Sequence, residues 1–381
     1  MKQVQSVLVI GAGVGGLAAA ACFAVRGAKV TVVEQRHADD VLGVGINQPA
    51  NSLRVLRDLG VLDAIVDAGF TYDRLQFYDR NGKRIVDAPS SFGGDVPANC
   101  AVSRVVLSDA LYNAARASGA TIIHDLEVRE LLDDSRKVSI VGAGNELGDF
   151  DLAVAFDGMN SAIRRQLFGD SCRPTFTGHA VWRVTLPRDP SVNCCQLFHG
   201  VDTKAGLIPI SHDEMYLFLV TSEADNPRHD PAGFYALLTE RLDEYSGLIG
   251  RLRDALRPDA AIVYSPLSEI LLAERWHKGR IVVAGDAAHL SAPHLTQGAA
   301  MALEDAALLV KMIDRDVVLD ASLMEFAQRR IPRVALVQKV SGGILRAEMS
   351  VTNETYARSL AELCEIPAKL AKVESMLNQP Y

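Results

Sequence analysis

The sequence predicts an α/β protein with two domains and a helical C-terminus, and three observations lead to this prediction. Residues 7–34 read as strand, glycine turn, helix and strand. Residues 175–274 contain short apolar segments separated by turn residues, which is typical of an antiparallel sheet. An apolar run at 280–284 then returns to the pattern of a buried strand. The first and third regions therefore predict one Rossmann-like domain that is built from discontinuous segments.

The N-terminal stretch has the glycine spacing of a dinucleotide-binding turn. Gly11 allows a tight turn, Gly13 allows close approach of a pyrophosphate, and Gly16 allows the helix to lie near the strand. The helix N-terminus offers N–H groups and a positive dipole end to phosphate. Glu34 ends the second strand, where an acid accepts hydrogen bonds from a ribose. The complete strand–turn–helix–strand context predicts dinucleotide binding more strongly than the glycines alone.

The composition is that of an ordinary soluble protein. The 381 residues are enough for two domains, and 49% are hydrophobic and 23% charged. The net charge of −8 argues against nucleic acid and anionic membranes as main partners. Residues 7–25 are uncharged but interrupted by glycines, so we expect neither export nor membrane insertion. The six cysteines lack metal-ligand spacing, so we expect reduced thiols in the cytoplasm and no metal site.

Chain order suggests three parts. A hairpin with Asn81-Gly82 at its turn marks the start of the second domain. Residues 232–256 read as one long amphipathic helix within that domain. The helix-prone C-terminal residues would offer a surface for a homodimer. The predicted boundaries are a nucleotide-binding domain at 1–72, 100–174 and 275–340, a substrate-binding domain at 73–99 and 175–274, and a helical C-terminal segment at 341–381.

Two further motifs follow predicted buried strands. Asp157-Gly158 ends one strand and precedes a helix at 162–168. Gly285-Asp286 ends the strand at 280–284, and a loop then leads into a helix that begins near Gly298. Ligands of α/β folds bind at the carboxyl ends of such strands. Both motifs are therefore expected near the nucleotide.

Taken together, GAGVGG with Glu34 and Arg36, DGMNSAIR at 157–164, and GDAAH…PHLTQGA at 285–299 resemble the FAD-dependent aromatic hydroxylases of the para-hydroxybenzoate hydroxylase type. Within that family the chain is similar to the salicylate, 6-hydroxynicotinate and 3-hydroxybenzoate hydroxylase branch, over about residues 5–340. The resemblance implies FAD as cofactor, NADH or NADPH as co-substrate, and O₂. It also implies hydroxylation of a small aromatic or heteroaromatic substrate, phenolic or carboxylated, through a flavin C4a-hydroperoxide.

The resemblance assigns the adenosine and pyrophosphate end of FAD to the N-terminal half of the chain. The three glycines of the turn would hold the pyrophosphate. Glu34 and Arg36 would contact the adenosine ribose region, and Arg104 would reach the linker of FAD. Val128 lies where family members contact adenine through the backbone.

The resemblance assigns the flavin end to later motifs. Asp157 belongs to a motif that the family associates with both FAD and NAD(P)H, and Asp286 would bind the ribityl chain. Residues 293–299, including Gln297, Gly298 and Ala299, would run past the flavin ring. A helix that starts near Gly298 would direct its positive dipole end at the ring and favour the anionic reduced flavin.

The candidates for the chemistry on the substrate are His294, Tyr216 and Pro293. His294, next to Pro293, is expected to accept or hold the proton of a substrate hydroxyl near neutral pH. Tyr216 occupies a position where relatives carry a substrate-facing tyrosine, although a tyrosine of the sheet core fits equally well. Arg183 could bind a carboxylate or be structural, and Asn47 lies in a loop that would border the pocket.

Two positions differ from the family pattern. Thr296 stands where relatives commonly have the first glycine of Gly-Gln-Gly, and Ala300 stands where they often have asparagine. Three other functions remain open from the residues: a flavin oxidase or dehydrogenase of amines or hydroxy acids, an NAD(P)-dependent dehydrogenase without flavin, and a flavin-binding protein without catalytic activity. The first would not be expected to carry both Asp157-Gly158 and the 285–298 segment, and the second would need no second Gly-Asp motif.

Overall fold

The computed structural model describes residues 4–38, 43–90, 92–142, 147–315 and 317–381. The described strands are β1 (Ser6–Ile10), β2 (Lys29–Val33), β3 (Gly45–Pro49), β4 (Phe70–Tyr72), β5 (Arg74–Asp79), β6 (Arg84–Pro89), β7 (Asn99–Ser103), β8 (Thr121–Ile123), β9 (Leu131–Asp133), β10 (Val138–Ile140), β11 (Leu152–Ala155), β12 (Thr175–Pro187), β13 (Cys195–His199), β14 (Thr203–Pro209), β15 (Glu214–Ser222), β16 (Val263–Leu271), β17 (His277–Lys278), β18 (Ile281–Val283) and β19 (His289–Leu290).

The described helices are α1 (Val14–Val25), α2 (Ala50–Asp58), α3 (Leu62–Ala68), α4 (Arg104–Ala117), α5 (Ala162–Phe168), α6 (Phe234–Arg241), α7 (Gly247–Asp254), α8 (Gly298–Ile313), α9 (Leu319–Glu348), α10 (Tyr356–Glu362) and α11 (Ile366–Leu377). No helix among the described residues combines the length and the apolarity needed to cross a membrane.

The first large sheet has the strand order β17–β18–β11–β1–β2–β8 and is parallel except at the β17–β18 pair. Strand β1 lies between β2, which follows α1, and β11, which comes from more than a hundred residues later. The predicted Rossmann-like domain with discontinuous segments is therefore confirmed. Its apolar strands are buried on both faces, as expected for a parallel sheet covered by helices.

Helix α1 lies against this sheet because the glycine turn allows it. A Cβ atom added to Gly16 would lie 1.9 Å from the backbone oxygen of Gly11. Only glycine therefore permits the close approach of helix and strand at this point. On its other sides α1 contacts α4 and α8, so its alanine-rich surface is buried almost all round.

The second large sheet has the order β19–β16–β12–β15–β14–β13–β5–β6. It is antiparallel as predicted, except that β13 and β5 run parallel. Strand β5 belongs to the separate β5–β6 hairpin, so no short connection determines its direction relative to β13. The hairpin turns at Asn81-Gly82 as predicted, with φ of +85° at Gly82.

The two faces of this sheet have different partners, because side chains alternate along each strand. Trp182 and Leu217 pack with Leu238 of α6 and Ile249 of α7 on one face. The predicted single helix over 232–256 is wrong, since α6 ends at Arg241 and α7 begins at Gly247. The φ of +62° at Gly247 cannot be accommodated inside a right-handed helix. The opposite face of the sheet points towards the first domain.

The C-terminal helices connect the two sheets. Helix α9 is 30 residues long and runs through residue 341, where the sequence suggests the start of the last segment. It packs against α8 and ends at Glu348, near the sheet face that points to the first domain. Helix α11 then contacts β6 at the edge of the second sheet.

Candidate active site

A cavity of about 490 Å³ lies between the two large sheets. The glycine turn and the first residues of α1 line one end, and the free face of the second sheet lines another wall. The Pro293–Leu295 turn and the first residues of α8 form a third wall, and α11 contributes Leu370, Val373 and Leu377. The cavity therefore brings together parts of the chain that are distant in sequence.

The glycine turn has the geometry of a nucleotide site. Gly11 has φ of +98°, and a Cβ at this position would lie 2.4 Å from the backbone oxygen of Phe156. At Gly13 an added Cβ would have no atom within 4 Å, so open space lies in front of the turn. Glu34 accepts hydrogen bonds from the backbone N–H groups of Ala12 (2.8 Å) and Arg36 (2.9 Å). The Glu34 carboxylate, directly after β2, thus holds the backbone of the glycine turn in place.

The Gly285-Asp286 turn is held from behind by buried charges. Gly285 has φ of +58°, and its N–H donates to Oδ2 of Asp305 at 2.8 Å. The same carboxylate oxygen lies 2.6 Å from Nε2 of His289, and Nε of Arg330 donates to the other oxygen at 2.6 Å. Asp286 itself is open to the cavity but otherwise surrounded by protein, and this enclosure raises the pKa of its carboxyl group.

Asp305 and Arg330 are functional neighbours that sequence reasoning missed. Both are fully buried, and Arg330 also donates to Glu304 at 2.6 Å. Glu304 in turn accepts a bond from Asn51 at 2.7 Å, and Asn51 donates to Gln297 at 2.9 Å. A buried ionic network therefore supports both the Gly285 turn and the residue before α8. The adjacent pair of acids inside a mostly apolar helix was the available signal.

The N-terminus of α8 opens towards the cavity. Among the described residues no side chain caps its first N–H groups, and Gly298 has open space where a Cβ would lie. Uncapped N–H groups and the positive dipole end form a binding site for negative charge. Together with the cradle at Gly13, this arrangement fits a dinucleotide whose pyrophosphate lies at one end and whose electron-rich ring lies at the other.

Asp157 lies outside the cavity lining, in the segment between β11 and α5. Its Oδ2 accepts the N–H of Ile163 at 3.3 Å, and no described residue provides a partner for its buried Oδ1. Burial raises the pKa of this carboxyl group. Its geometry is that of a group with one hydrogen-bonding position still available.

The sheet wall of the cavity carries a cation for which the described residues provide no partner. Arg183 on β12 lines the cavity, and none of the described residues gives its guanidinium a hydrogen bond or an ion pair. Burial, together with the charge of Arg104, lowers the pKa of Arg183. Tyr216 on β15 lies on the same wall with its ring against Gly45, and burial raises the pKa of its phenol. Such a wall favours an anionic group on the ligand.

His294 lies on the opposite wall and is almost fully enclosed. Its side chain is 1% exposed, and its Nε2 lies 3.2 Å from Oε2 of Glu348. Burial and the nearby charge of Lys204 lower the pKa of His294, although Glu348 acts in the opposite direction. Neither Glu348 nor Lys204 belongs to a motif, so the sequence offers no signal for them.

The structure brings many of the predicted site residues to the cavity and leaves others outside its lining. The cavity is lined by Gly13, Arg104, Tyr216, Asp286, Pro293, His294, Gln297, Gly298 and Ala299, as well as by Asn47 and Arg183. The predicted residues outside this lining are Gly11, Gly16, Glu34, Arg36, Val128 and Asp157. The roles predicted for all of these residues remain predictions.

Comparison with known proteins agrees with this geometry. Residues 4–322 match the family described as FAD binding domain. The 2-heptyl-3-hydroxy-4(1H)-quinolone synthase of Pseudomonas aeruginosa is 29% identical over 340 residues, which cover 88% of this chain and 88% of that protein. The 3-hydroxybenzoate 6-hydroxylase of Klebsiella oxytoca is 28% identical over 356 residues, which cover 88% and 87%.

A solved structure shows the same fold. Klebsiella pneumoniae HpxO, complexed with FAD and uric acid, has a TM-score of 0.86 and 22% sequence identity, with 99% of this chain and 97% of that chain covered. The chain therefore belongs to the FAD binding domain family, and its predicted resemblance to the FAD-dependent aromatic hydroxylases is confirmed.

Proposed function

We propose that this protein is a FAD-dependent monooxygenase that uses NADH or NADPH and O₂ to hydroxylate a small aromatic or heteroaromatic substrate with a phenolic or carboxylate group. One observation carries the proposal. The open cradle at Gly13 and the uncapped N-terminus of α8 share a cavity with Arg183, Tyr216 and His294. The same cavity thus combines the geometry for binding a cofactor with groups that can bind a substrate anion and accept its proton.

The names of similar proteins support the aromatic substrate class. One relative is named for a quinolone, another for 3-hydroxybenzoate, and a similar structure contains uric acid with FAD. All three compounds have unsaturated rings with oxygen substituents. We therefore expect the substrate of this protein to be an electron-rich ring of comparable chemistry.

FAD, when bound, supplies the redox chemistry: it accepts a hydride from the reduced nicotinamide and activates O₂. The cavity residues have other tasks. Phe218 and Ile208 provide an apolar wall for a flat ring, and Arg183 attracts a carboxylate or phenolate. Leu370 and Leu377 of α11 close the cavity with apolar side chains, which favours exclusion of water.

His294 supports the proton chemistry of the proposed reaction. Its lowered pKa keeps the imidazole neutral near pH 7, so that it can accept the proton of a substrate hydroxyl. Deprotonation makes the ring more electron-rich and therefore more reactive towards electrophilic oxygen. The N-terminus of α8 would meanwhile stabilise negative charge at the flavin end of the cavity.

The test is a screen with the purified, FAD-loaded protein. Hydroxylated benzoates, nicotinates and purines are added with NADH or NADPH, and the oxidation of the nicotinamide is followed by absorbance. A true substrate stimulates oxidation, and ¹⁸O from ¹⁸O₂ appears in the product. Stimulation with hydrogen peroxide but no ¹⁸O-labelled product would indicate an uncoupled oxidase or an effector. A colourless protein that cannot be reconstituted with FAD would overturn the proposal altogether.

A further inference from the structure

The free face of the second sheet forms an elongated wall of the cavity. The residues that line the cavity from this sheet lie on the adjacent strands β12, β15, β14, β13 and β5. Neighbouring strands lie about 4.8 Å apart, so the wall extends about 19 Å from β12 to β5. One row of paired residues crosses most of it. Arg183 pairs with Phe218, which also pairs with Gly206, and Gly206 pairs in turn with Leu197. Because paired residues point to the same face of a sheet, these positions follow one another along the wall.

The β12 end of this wall carries positive charge. Arg183 lines the cavity, and no described residue gives its guanidinium a hydrogen bond or an ion pair. The other cation on the wall, Lys204 of β14, lies 2.5 Å from the carboxylate of Glu348, so its charge is balanced. An anionic group of a ligand would therefore bind at Arg183, at one end of the row.

The middle of the wall is a flat aromatic surface. A Cβ atom added to Gly206 would lie 2.3 Å from the ring atoms Cε1 and Cζ of Phe218, so the ring lies directly on the glycine backbone. Phe218 is only half-buried and lines the cavity. An aromatic ligand can stack on such a surface. The row therefore offers a place for a ring next to the place for its anionic group.

The β5 end of the wall is apolar and is covered by α11. Leu75 on β5, Leu197 on β13 and Leu370 on α11 line the cavity and pack against the same hydrophobic cluster. All three residues are only half-buried, and so is Val373, which also lines the cavity from α11. Partly exposed apolar side chains that share one cavity indicate room for an apolar group.

The charge at this end argues against an ionic substituent. Of the charged residues on α11, which is fully described, Glu374 alone lines the cavity, and it accepts a hydrogen bond from the hydroxyl of Ser90. Its carboxylate repels an anionic group. A cationic group would have to lose its water among the leucines. A neutral apolar group meets neither of these costs.

We propose that the β5 end of the cavity is a subsite for a neutral alkyl chain on the substrate, lined by Leu75, Leu197 and Leu370. This inference rests on the proposed function and narrows its substrate class to a ring with an anionic group at one end and an apolar chain at the other. The anionic group binds Arg183, the ring lies on Phe218, and the chain extends under α11. A benzoate without a chain is shorter than the wall of about 19 Å and leaves the leucines uncovered.

The first test measures binding to oxidised, FAD-loaded protein by isothermal titration calorimetry, with no reductant present. The ligands are hydroxylated benzoates that carry hydrogen, methyl, propyl or pentyl para to the carboxylate, the position that points along the row. Each CH₂ group that becomes buried lowers the Kd about fourfold, so the pentyl compound should bind at least about fiftyfold more tightly than the unsubstituted one. A pentyl compound that binds no more tightly, or not at all, would overturn the proposal. Tighter binding of an aminopropyl compound than of the propyl compound would also overturn it.

Two matched leucines separate the subsite from general hydrophobicity of the ligand. Leu370→Trp fills space at the α11 end of the cavity, so the advantage of the pentyl compound should fall at least about tenfold, with the Kd of the unsubstituted compound nearly unchanged. Leu360→Trp is the control and should keep the full advantage, because Leu360 packs against the same cluster but lies outside the cavity lining. If Leu370→Trp does not fold, Leu197→Phe fills the same space from the sheet. A filling variant that keeps the full advantage would overturn the proposal.

Turnover of the same ligands distinguishes this inference from the proposed function. Each compound is incubated with NADH or NADPH and ¹⁸O₂, and the product is analysed for ¹⁸O. If affinity rises with chain length and no compound is hydroxylated, the alkyl subsite stands and the proposed function fails. If the unsubstituted compound is hydroxylated and chain length does not affect the Kd, the subsite fails alone.

Discussion

The side-chain amide of Asn47 donates a hydrogen bond to Oγ1 of Thr296 at 3.1 Å and thereby joins β3 to the loop before α8. Asn47 also donates to Oδ1 of Asn99 at 3.0 Å. Thr296 has φ of +53°, a conformation that favours glycine and is costly for a β-branched residue. The hydrogen bond offsets part of this cost. Thr296, one of the two residues that depart from the family pattern, is thus a structural link beside the cavity.

This link predicts different effects for two replacements of Thr296. Thr296→Val keeps the backbone cost and loses the hydrogen bond, so the free energy of unfolding should fall by about 1 kcal/mol. Thr296→Gly also loses the bond but removes the backbone cost of at least about 1 kcal/mol, and should therefore be more stable than Thr296→Val. Urea denaturation of both variants measures the difference. Equal stability would mean that the backbone at Thr296 is unstrained.

Substitutions of Asp286 and His294 should affect different quantities, the first the Kd for FAD and the second kcat. Asp286→Ala removes an acceptor at the proposed ribityl position, so the Kd for FAD should rise about tenfold or more. His294→Ala should leave the Kd for FAD unchanged and lower kcat about a hundredfold. Flavin fluorescence titration gives the first quantity and steady-state kinetics the second. Equal loss of FAD in both variants would contradict this division of roles.

We expect Arg183 to lower the KM of anionic substrates and to lower the free energy of unfolding of the FAD-free protein. Its guanidinium lines the cavity without a described partner. Arg183→Met should therefore raise the KM of a carboxylated substrate about tenfold and leave that of its neutral amide analogue nearly unchanged. Removal of an unpaired buried cation should leave the free energy of unfolding of the FAD-free protein equal or higher. A clear loss of stability would show that Arg183 has a structural role.

Arg330 and Arg329 offer a matched comparison of buried and exposed ion pairs. Arg330→Met removes the buried cation that Glu304 and Asp305 share. Arg333 still pairs with Glu304 and His289 still contacts Asp305, so we expect the free energy of unfolding to fall by about 3 kcal/mol. Arg329 pairs with Glu325 on the surface at 2.6 Å, and Arg329→Met should cost less than about 1 kcal/mol. Urea denaturation of the two neighbours tests the difference. Similar values would show that the buried network contributes little.

His199 predicts a pH dependence of stability. Burial lowers its pKa to about 4, whereas the unfolded chain titrates near the ordinary value of 6.5. Between these values the unfolded state binds the additional proton, so stability is lost as the pH falls from 6.5 towards 4. The slope from this group is at most about 1.4 kcal/mol per pH unit. His199→Asn should flatten the dependence measured by urea denaturation at pH 7 and pH 5, and an unchanged slope would contradict the assignment.

Local patterns were sufficient for much of the fold. The spacing of Gly11 and Gly16, the short apolar segments between turn residues in 175–274, and the Asn81-Gly82 turn each reflect a rule that acts over a few residues. The division of 232–256 into α6 and α7 was not predicted, because helical periodicity continues across the break. The parallel pairing of β13 with β5 was also missed, since strand direction is decided between distant segments.

The sequence by itself determined the α/β class, the glycine turn, the two acid-bearing motifs and the candidates Tyr216 and His294. Each of these follows from residue order, or from motifs that can be read along the chain. The tertiary structure alone decided that Glu348 lies 3.2 Å from His294. It also decided that Arg183 has no described partner in the cavity. The physical reason is that the pKa and charge balance of a buried group depend on neighbours through space, and a sequence pattern records only neighbours along the chain.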